Sequence, residues 1–423
     1  MHVVQQLAAY VVSEVLNGRN LNQVLTESFN KNPLLEPQQR GALQDICYGT
    51  LRFYGQLIRI QKELLSKPLQ DIKLSYLLLV ALYQLEYTKA AKYAIVDHAV
   101  RAAKIINNAT AGLVNAVLRN YLRNRDSLIK IAAQTEEGKY SYQQWWIDTV
   151  KKQYQTHAQA ILDSGNHHPR MTLRVNQRKK TTAEYIEELL SQDLIVEKSE
   201  DSAIWLKNPV VVDKLPGFKT GEVSVQDAGA QYAMGLLDVK NEMRVLDVCA
   251  APGGKAAHLL ENNNIKLIAI DKDEYRLKRV KENLQRLNLK AEIICADATE
   301  TVTWWDGNRF DRILADVPCT ASGVVRRHPD IKWLRRPTDI ERFAKQQETI
   351  LEALWPLLNI NGKLLYATCS IFARENQQVI ETFLAHHTDA KLEPVSIADM
   401  KNGQLLPNEW HDGFFYALLQ KKK

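Results

Sequence analysis

The sequence is poor in cysteine and in long apolar runs, and both shortages narrow the class of protein. Its cysteines are odd in number and widely spaced, with no Cys-x-x-Cys pair, which argues against a disulfide framework and a zinc site. They are Cys47, Cys249, Cys295, Cys319 and Cys369. No apolar run approaches the roughly 20 residues that span a bilayer, and the amino-terminal stretch around Glu14 predicts an amphipathic helix, not a signal peptide. We therefore expect a cytoplasmic protein with reduced thiols, no metal and no membrane partner.

Phosphate-binding motifs, internal repeats and low-complexity tracts are also missing. Neither GxGxxG nor GxxxxGK[ST] occurs, so the usual loops of NAD enzymes and P-loop NTPases are not indicated. With 423 residues, 45% of them hydrophobic and 25% charged, the chain is typical of a globular protein of two or three domains. A net charge of +6 permits a polyanionic partner without requiring one.

The sequence pattern of residues 1–139 predicts an all-helical domain. From Val3 to about Asn124, apolar residues recur at helical spacing, as in residues 74–87 and 94–106, and predict six or seven helices. Several basic residues lie beside predicted helix ends, where they could meet phosphates or could simply form a solvated surface. They are Arg52, Lys89, Lys92, Arg101, Lys104, Arg119, Arg123 and Arg125.

Residues 140–230 predict a small α/β module that binds RNA or serves as a linker. Residues 169–181 alternate like a strand, residues 182–192 are helical, and "AIWLKNP" and "EVSVQDA" are short strands. Basic side chains cluster along one segment of this module. They are Arg170, Arg174, Arg178, Lys179 and Lys180.

Residues 231–423 alternate between strand and helix, which predicts a parallel sheet with helices on its faces. After the strand "MRVLDVCA", the turn "APGG" allows close backbone approach to a ligand through Gly253 and Gly254. The next two strands end at Asp271, where ribose hydroxyls would bind, and at Asp297, where adenine would bind. An adenosine ligand without a pyrophosphate motif favours S-adenosylmethionine.

Two cysteines end the fourth and fifth predicted strands. Cys319 lies in "ADVPCTASGVVRRHPD" after the strand at residues 310–314, and Cys369 lies in "GKLLYATCSIF". Because parallel strands end at one edge of a sheet, both thiols should flank the ligand crevice. A buried cysteine is usually inert, and that interpretation is kept for Cys295 and mostly for Cys249 and Cys47.

These motifs resemble, over the whole chain, the Fmu/Sun family of bacterial 16S rRNA cytosine-5 methyltransferases. Val317 and Thr320 replace the more usual alanine and serine, neither of which does bond chemistry. The resemblance implies an all-α NusB-like domain, a small α/β module and a carboxyl-terminal Rossmann-like methyltransferase domain of the α/β class. The similar stretches are "VCAAPGGK", "DVPCTASGVVRRHPDIKW", "YATCS", "DGFFYALL" and, in the helical domain, "GLVNAVLRN".

The resemblance also implies the chemistry and the partners. Cys369 would attack C6 of a cytosine, Cys319 would help to release the product, and Asp316 would hold the N3 and N4 edge of the base. The methyl donor would be S-adenosylmethionine and the substrate 16S rRNA, bound by a monomer. The expected cofactor-binding residues are Cys249, Ala250, Ala251, Pro252, Gly253, Gly254, Lys255, Asp271, Asp297 and Asp316.

The basic run after Cys319 is expected to grip RNA beside Trp333, which could stack on a base. Its members are Arg326, Arg327, His328, Lys332, Arg335 and Arg336. Two alternatives stay open at this point. One is a cytosine-5 methyltransferase that acts on tRNA or another rRNA site, and the other is an RNA-binding protein without catalytic activity.

Overall fold

The computed structural model describes residues 1–395, 397 and 400–423, which divide into two compact units. The first contains Met1–His168 and Val325–Pro337, and the second contains Pro169–Val324 and Thr338–Lys423. The helical unit therefore extends beyond the boundary expected at residue 139. Within the described residues, no helix has the length and apolar character needed to cross a membrane.

The first unit is entirely helical around one apolar core. Over residues 2–132, all of which the structure describes, α1 to α7 confirm the expected six or seven helices. The helices of this unit are α1 (His2–Leu16), α2 (Leu21–Lys31), α3 (Pro37–Arg52), α4 (Tyr54–Leu64), α5 (Ile72–Tyr87), α6 (Lys92–Ile106), α7 (Ala111–Ala132), α8 (Glu136–Tyr140), α9 (Gln144–Tyr154), α10 (Ala158–Ser164) and α15 (Ile331–Leu334).

Local sequence determines where several of these helices begin. The side chain of Asn20 accepts a hydrogen bond from Gln23 N at the start of α2, and Asp71 accepts one from Lys73 N at the start of α5. Such caps satisfy amide donors that have no partner within the helix. Helix α5 is buried from Leu77 to Leu85, as the run "LLLVALYQL" predicts for a central helix.

Residues 325–337 follow Val324 of the second unit in sequence but pack within the helical unit. The Asp330 carboxylate accepts from Leu21 N at 3.2 Å, and Trp333 Nε1 donates to Leu51 O at 2.7 Å. Lys332 is 0% exposed, and its ammonium donates to Arg52 O at 2.8 Å and to Asn166 Oδ1. Burial, and then the charge of Arg52, hold the pKa of Lys332 well below its usual value.

The prediction that this basic run binds RNA is therefore wrong for some of its residues. Arg326 and Lys332 are buried, and Trp333 packs against the helical core instead of presenting a free face to a base. Arg52 is buried as well and donates to Arg326 O at 2.8 Å. Arg336 is exposed. Lys332 and Arg52 thus donate to backbone carbonyls in the interior, which sequence position could not reveal.

The second unit holds a small sheet with strand order β2-β3-β1-β4 and the helix α11 (Thr182–Ser191). Thr181 and Glu184 form a capping box at the start of α11, as the spacing in "TTAE" predicts. The half-exposed edge strand β2 is absent from the sequence prediction. The strands are β1 (Met171–Val175), β2 (Val196–Glu200), β3 (Ala203–Leu206) and β4 (Val223–Val225).

The larger sheet follows the order β11-β12-β13-β9-β8-β5-β6-β7, with β10 pairing β13. Strands β5 to β9 are parallel to one another, whereas β13 runs antiparallel to β9, so the sheet is mixed and not purely parallel. Its strands are β5 (Arg244–Val248), β6 (Lys266–Asp271), β7 (Glu292–Cys295), β8 (Phe310–Asp316), β9 (Leu358–Thr368), β10 (Ala390–Glu393), β11 (Met400–Lys401), β12 (Gln404–Leu405) and β13 (Phe414–Lys421).

Helices cover this sheet, and apolar side chains between the layers form its core. The covering helices are α12 (Ala228–Leu237), α13 (Gly254–Asn262), α14 (Glu274–Leu287), α16 (Pro337–Leu354) and α17 (Gln377–His386). The expected α/β class with strands and helices in alternation is confirmed. It brings the loops after β5, β6, β8 and β9 to one edge of the sheet, because parallel strands share the same direction.

Arg174 corrects a second expectation about basic residues. It lies on β1, fully buried, and its guanidinium binds both oxygens of Glu261 on α13 at 3.0 and 2.7 Å. A third contact runs from Arg174 Nη1 to Gly254 O at 2.8 Å. Arg174 therefore holds the backbone of the glycine loop through this hydrogen bond to Gly254. By contrast, Arg178 and Lys179, on the same segment, are exposed.

Candidate active site

The loop after β5 is shaped by glycine. Gly253 has φ of +95°, and a Cβ there would lie 3.2 Å from Val280 Cα, so a side chain would be strained in conformation and tight in space. The turn closes through a hydrogen bond from Gly253 N to Ala250 O at 2.7 Å. Arg276 and Asn283 of α14 donate to the carbonyls of Ala251 and Pro252. The start of α13 is thus held facing the sheet edge.

Asp271 and Asp297 lie where the sequence expected them, at the ends of β6 and just after β7. Asp271 is 4% exposed and accepts hydrogen bonds from Ala251 N at 3.2 Å and Asp273 N at 3.0 Å. Asp297 accepts from the backbone and hydroxyl of Thr299, which lowers its pKa. Both carboxylates line a cavity with apolar walls. Acidic acceptors beside apolar walls suit the hydroxyls and ring of an adenosine.

The other residues that line this cavity come from β6, from the segments after β5, β6, β7 and β8, and from α14 and α16. They are Cys249, Ile270, Lys272, Arg276, Ala296, Ala298, Pro318, Gln346 and Ile350. Burial, followed by the nearby charges of Asp271 and Asp316, raises the pKa of Cys249 to about 12, so this thiol is a cavity wall and not a nucleophile.

Lys255 and Asp316 form an ion pair that the sequence did not predict. Lys255 Nζ lies 2.6 Å from Asp316 Oδ2, and the lysine side chain is 12% exposed against 31% for the aspartate. Burial alone would lower the pKa of Lys255, but the charge and hydrogen bond of Asp316 outweigh it, and the pKa is raised. The lysine therefore stays cationic and leaves Asp316 Oδ1 available to a ligand.

Cys319 and Cys369 lie side by side, as the strand order requires. Their sulfurs are 3.4 Å apart, with Cys319 8% exposed and Cys369 partly exposed. The hydrogen bond to Cys369 and burial raise the pKa of Cys319 well above its ordinary value. The two thiols thus differ in their surroundings: Cys319 is held protonated, and Cys369 is the more accessible sulfur.

Sequence reasoning missed Asp247, which lies within β5 between apolar neighbours. It is 1% exposed, and neither carboxylate oxygen has a hydrogen-bond partner. Burial, followed by the charge of Asp316, raises the pKa of Asp247 to about 8. The signal was available, because a lone acid inside the apolar strand "RVLDV" is unusual for a structural residue.

We expect Asp247→Asn to become more stable than the wild type as pH rises. The unfolded carboxyl ionises near pH ~4, whereas the folded one keeps its proton to about pH 8. The free energy of unfolding of the wild type therefore decreases as pH rises between these two pKa values, by at most about 1.4 kcal/mol per pH unit. Asparagine does not ionise, so the variant does not show this decrease. Urea unfolding from about pH 5 to about pH 7.5 measures it.

The control is Asp273→Asn at the exposed start of α14, where asparagine also caps a helix. Its stability difference from the wild type should stay level over the same pH range. A level difference for Asp247→Asn too would contradict the inferred protonation.

Among the residues that the structure describes, no group of three or more His, Cys, Asp or Glu side chains could hold a metal ion. The sheet edge holds two adjacent thiols, a lysine–aspartate pair and the cavity beside Asp271 and Asp297. A thiol beside a second thiol suits nucleophilic addition followed by elimination.

Three family models match the chain in the order of its domains. Residues 2–123 match the NusB family, residues 142–213 match the ferredoxin-like domain of RsmF/B-like methyltransferases, and residues 234–420 match 16S rRNA methyltransferase RsmB/F. Ribosomal RNA small subunit methyltransferase B of Yersinia pestis bv. Antiqua (strain Angola) is 42% identical, across 99% of this chain and 98% of its own length.

Solved structures are similar over the same regions. The crystal structure of PH0851 is 28% identical with a TM-score of 0.79, covering 99% of both chains. A methyltransferase homolog protein from Pyrococcus horikoshii is 26% identical with a TM-score of 0.59, covering 67% of this chain and 97% of its own. Because the likeness to the Yersinia enzyme spans almost the entire length of both proteins, this chain belongs to the RsmB/F family of 16S rRNA methyltransferases.

Proposed function

We propose that this protein methylates C5 of a cytosine in 16S rRNA through a covalent bond between Cys369 and C6 of the base. The observation that carries the proposal is the pair of sulfurs 3.4 Å apart, beside the ion pair of Lys255 and Asp316. C5 of cytosine is a poor nucleophile, and addition of a thiolate at C6 makes it reactive. A site built for this chemistry needs one thiol to attack and a base to remove the C5 proton.

S-adenosylmethionine supplies the methyl group when bound, and the site fits it. The glycine turn at Gly253 gives close backbone approach, and the cavity beside Asp271 and Asp297 offers acceptors for an adenosine. The buried carboxyl group of Asp247 has no hydrogen-bond partner and offers a further polar group to the methyl donor. These residues would bind and orient the donor at the ends of β5, β6 and β7.

The roles of the two cysteines follow from their surroundings. Cys369 is the more exposed sulfur, so its thiolate forms the bond to C6, and the C5=C6 electrons then take the methyl group at C5. Cys319 accepts the C5 proton, the double bond re-forms, and the bond between Cys369 and C6 breaks. The hydrogen bond to Cys369 is the largest cause of the raised pKa of Cys319. Bonding of Cys369 to carbon removes that cause, while burial and the charge of Glu375 still raise the pKa of Cys319, so Cys319 must release its own proton to solvent before it accepts the one from C5.

Asp316 holds the base in this scheme. Its Oδ2 is bound by Lys255, so Oδ1 accepts the N4 amine or a protonated N3 of cytosine. A protonated or strongly hydrogen-bonded ring draws electrons from C6 and favours attack by Cys369. The cation of Lys255 fixes the orientation of the Asp316 side chain through the ion pair.

The function is tested by incubating the protein and S-adenosylmethionine with 16S rRNA or with total tRNA. We expect 5-methylcytidine at one position of the 16S rRNA, found by nucleoside mass spectrometry and located by bisulfite sequencing. Modification of tRNA alone would support the alternative substrate. If no RNA is methylated although calorimetry shows bound S-adenosylmethionine, the enzymatic proposal is overturned.

A further inference from the structure

A buried carboxylate lies behind the two cysteines and contacts both of the loops that carry them. We define the Cys319 loop as residues 317–324 and the Cys369 loop as residues 369–376. Glu375, which is 0% exposed, accepts from Thr320 N at 2.7 Å and from Thr320 Oγ1 at 2.5 Å. It also accepts from Ser370 Oγ at 2.6 Å. One carboxylate therefore joins the residues that directly follow Cys319 and Cys369.

Hydroxyl groups extend this connection between the loops. Ser322 Oγ lies 3.0 Å from Ser370 Oγ and accepts from Ile371 N at 2.9 Å. Gln347 of α16 donates to Pro318 O at 2.9 Å and lies 3.4 Å from Glu375 Oε1. Hydrogen bonds between buried polar groups thus connect the two loops. These groups lie on the side of the thiols that faces the protein interior.

A buried acid is a costly way to gain stability, because its desolvation opposes its hydrogen bonds. What several donors around one carboxylate do provide is a fixed geometry, since each oxygen accepts in defined directions. At Glu375 that geometry is shared between two loops that come from different strands.

We propose that Glu375 is a positioning residue that holds the Cys319 loop against the Cys369 loop and so sets the reacting distance between the two sulfurs. Its catalytic consequence rests on the proposed function, in which Cys319 must reach the C5 proton while Cys369 is bonded to C6. The geometric part can be measured on the protein alone.

The first test couples the two thiols with diamide. The thiolate of one cysteine adds to the azo bond, the other thiolate displaces the adduct, a disulfide forms, and diamide is reduced to its hydrazine. Mass spectrometry of the intact protein and of Cys319–Cys369 peptides follows the loss of two hydrogens. We expect Glu375→Gln to couple at least about tenfold more slowly than the wild type, because its amide would face the donors of Thr320 and Ser370.

The direction of the change separates geometry from charge. The negative charge of Glu375 contributes to the raised pKa of Cys319, so its loss alone would ease thiolate formation and speed the coupling. Slower coupling therefore reports displaced loops. The matched control is Glu341→Gln, which alters an exposed partner of the adjacent Arg374 and should couple at the wild-type rate. A wild-type rate in Glu375→Gln overturns the proposal.

Thr320→Val decides the question if Glu375→Gln does not fold. It keeps the side-chain shape and the backbone donor but removes one hydroxyl from Glu375, so coupling should slow about threefold or more. Unchanged coupling in a folded Thr320→Val would overturn the proposal in that case.

RNA methylation is the second readout. For a positioning role, Glu375→Gln should lower kcat with little change in KM for RNA and should retain methylated RNA as a covalent adduct. The proposed function fails separately if coupling slows as expected but Cys319→Ala and Glu375→Gln both release their product normally. In that result the positioning by Glu375 stands and the assignment of Cys319 to elimination does not.

Discussion

In the Cys319→Ala variant, methylated RNA is expected to remain covalently attached to the protein. Cys369 can still add to C6 and the methyl group can still be transferred, but no group at the position of Cys319 removes the C5 proton. In Cys369→Ala, no adduct forms and methylation falls by roughly 10⁴-fold or more, as is typical when a nucleophile is removed. Denaturing gels with labelled RNA and methyl donor measure both effects.

The double variant is the control for this experiment. If the adduct of Cys319→Ala is carried by Cys369, the variant that lacks both thiols should show none. A stable adduct in Cys369→Ala together with none in Cys319→Ala would reverse the two roles. The raised pKa of Cys319 and the greater exposure of Cys369 are the structural grounds for the two roles assigned here.

Arg174→Met is expected to destabilise the second unit by about 3–5 kcal/mol, since it leaves the carboxylate of Glu261 buried without its partner. That carboxylate is 1% exposed, so water cannot replace the guanidinium. The substitution also removes the donor to Gly254 O in the glycine loop. Urea unfolding followed by circular dichroism measures the loss, and calorimetry should show weaker S-adenosylmethionine binding.

Two further variants interpret this result. Arg178→Met changes an exposed arginine on the same segment and should alter stability by no more than about 0.5 kcal/mol. Replacing both partners, with Arg174→Met and Glu261→Leu, should recover much of the stability because no unpaired charge is left. If the single and double variants were equally unstable, the loss would come from packing and not from the ion pair.

The strand ends and their order could be predicted because their signals are local. Apolar runs bounded by glycine, proline or aspartate identify β5, β6, β8 and β9, and the βαβ alternation makes them parallel. The structure therefore has Asp271, Cys319 and Cys369 at the expected edge. The edge strand β2, "VEKSE", lacks the alternation of apolar and polar residues that predicts a strand. It is extended because its backbone pairs with β3, which its own sequence does not indicate.

The side-chain partners could not be predicted, because each depends on residues far away in the chain. Arg174 and Lys332 have the sequence context of RNA-binding residues, yet Glu261 and the carbonyl of Arg52 bind them in the interior. Likewise, nothing near Glu375 in sequence indicates that Thr320 is its donor.

The sequence by itself determined the three-part organisation, the family and the positions of Cys319 and Cys369 at the strand ends, because helical periodicity, strand order and short motifs depend on neighbouring residues. Only the tertiary structure decided which charges face solvent, which acids lose water and how far apart the sulfurs lie. Burial and long-range hydrogen bonds control those properties. Burial raises the pKa of Asp247, and the hydrogen bond to Cys369 together with burial raises the pKa of Cys319. The ion pair with Lys255 fixes the position of the Asp316 carboxylate.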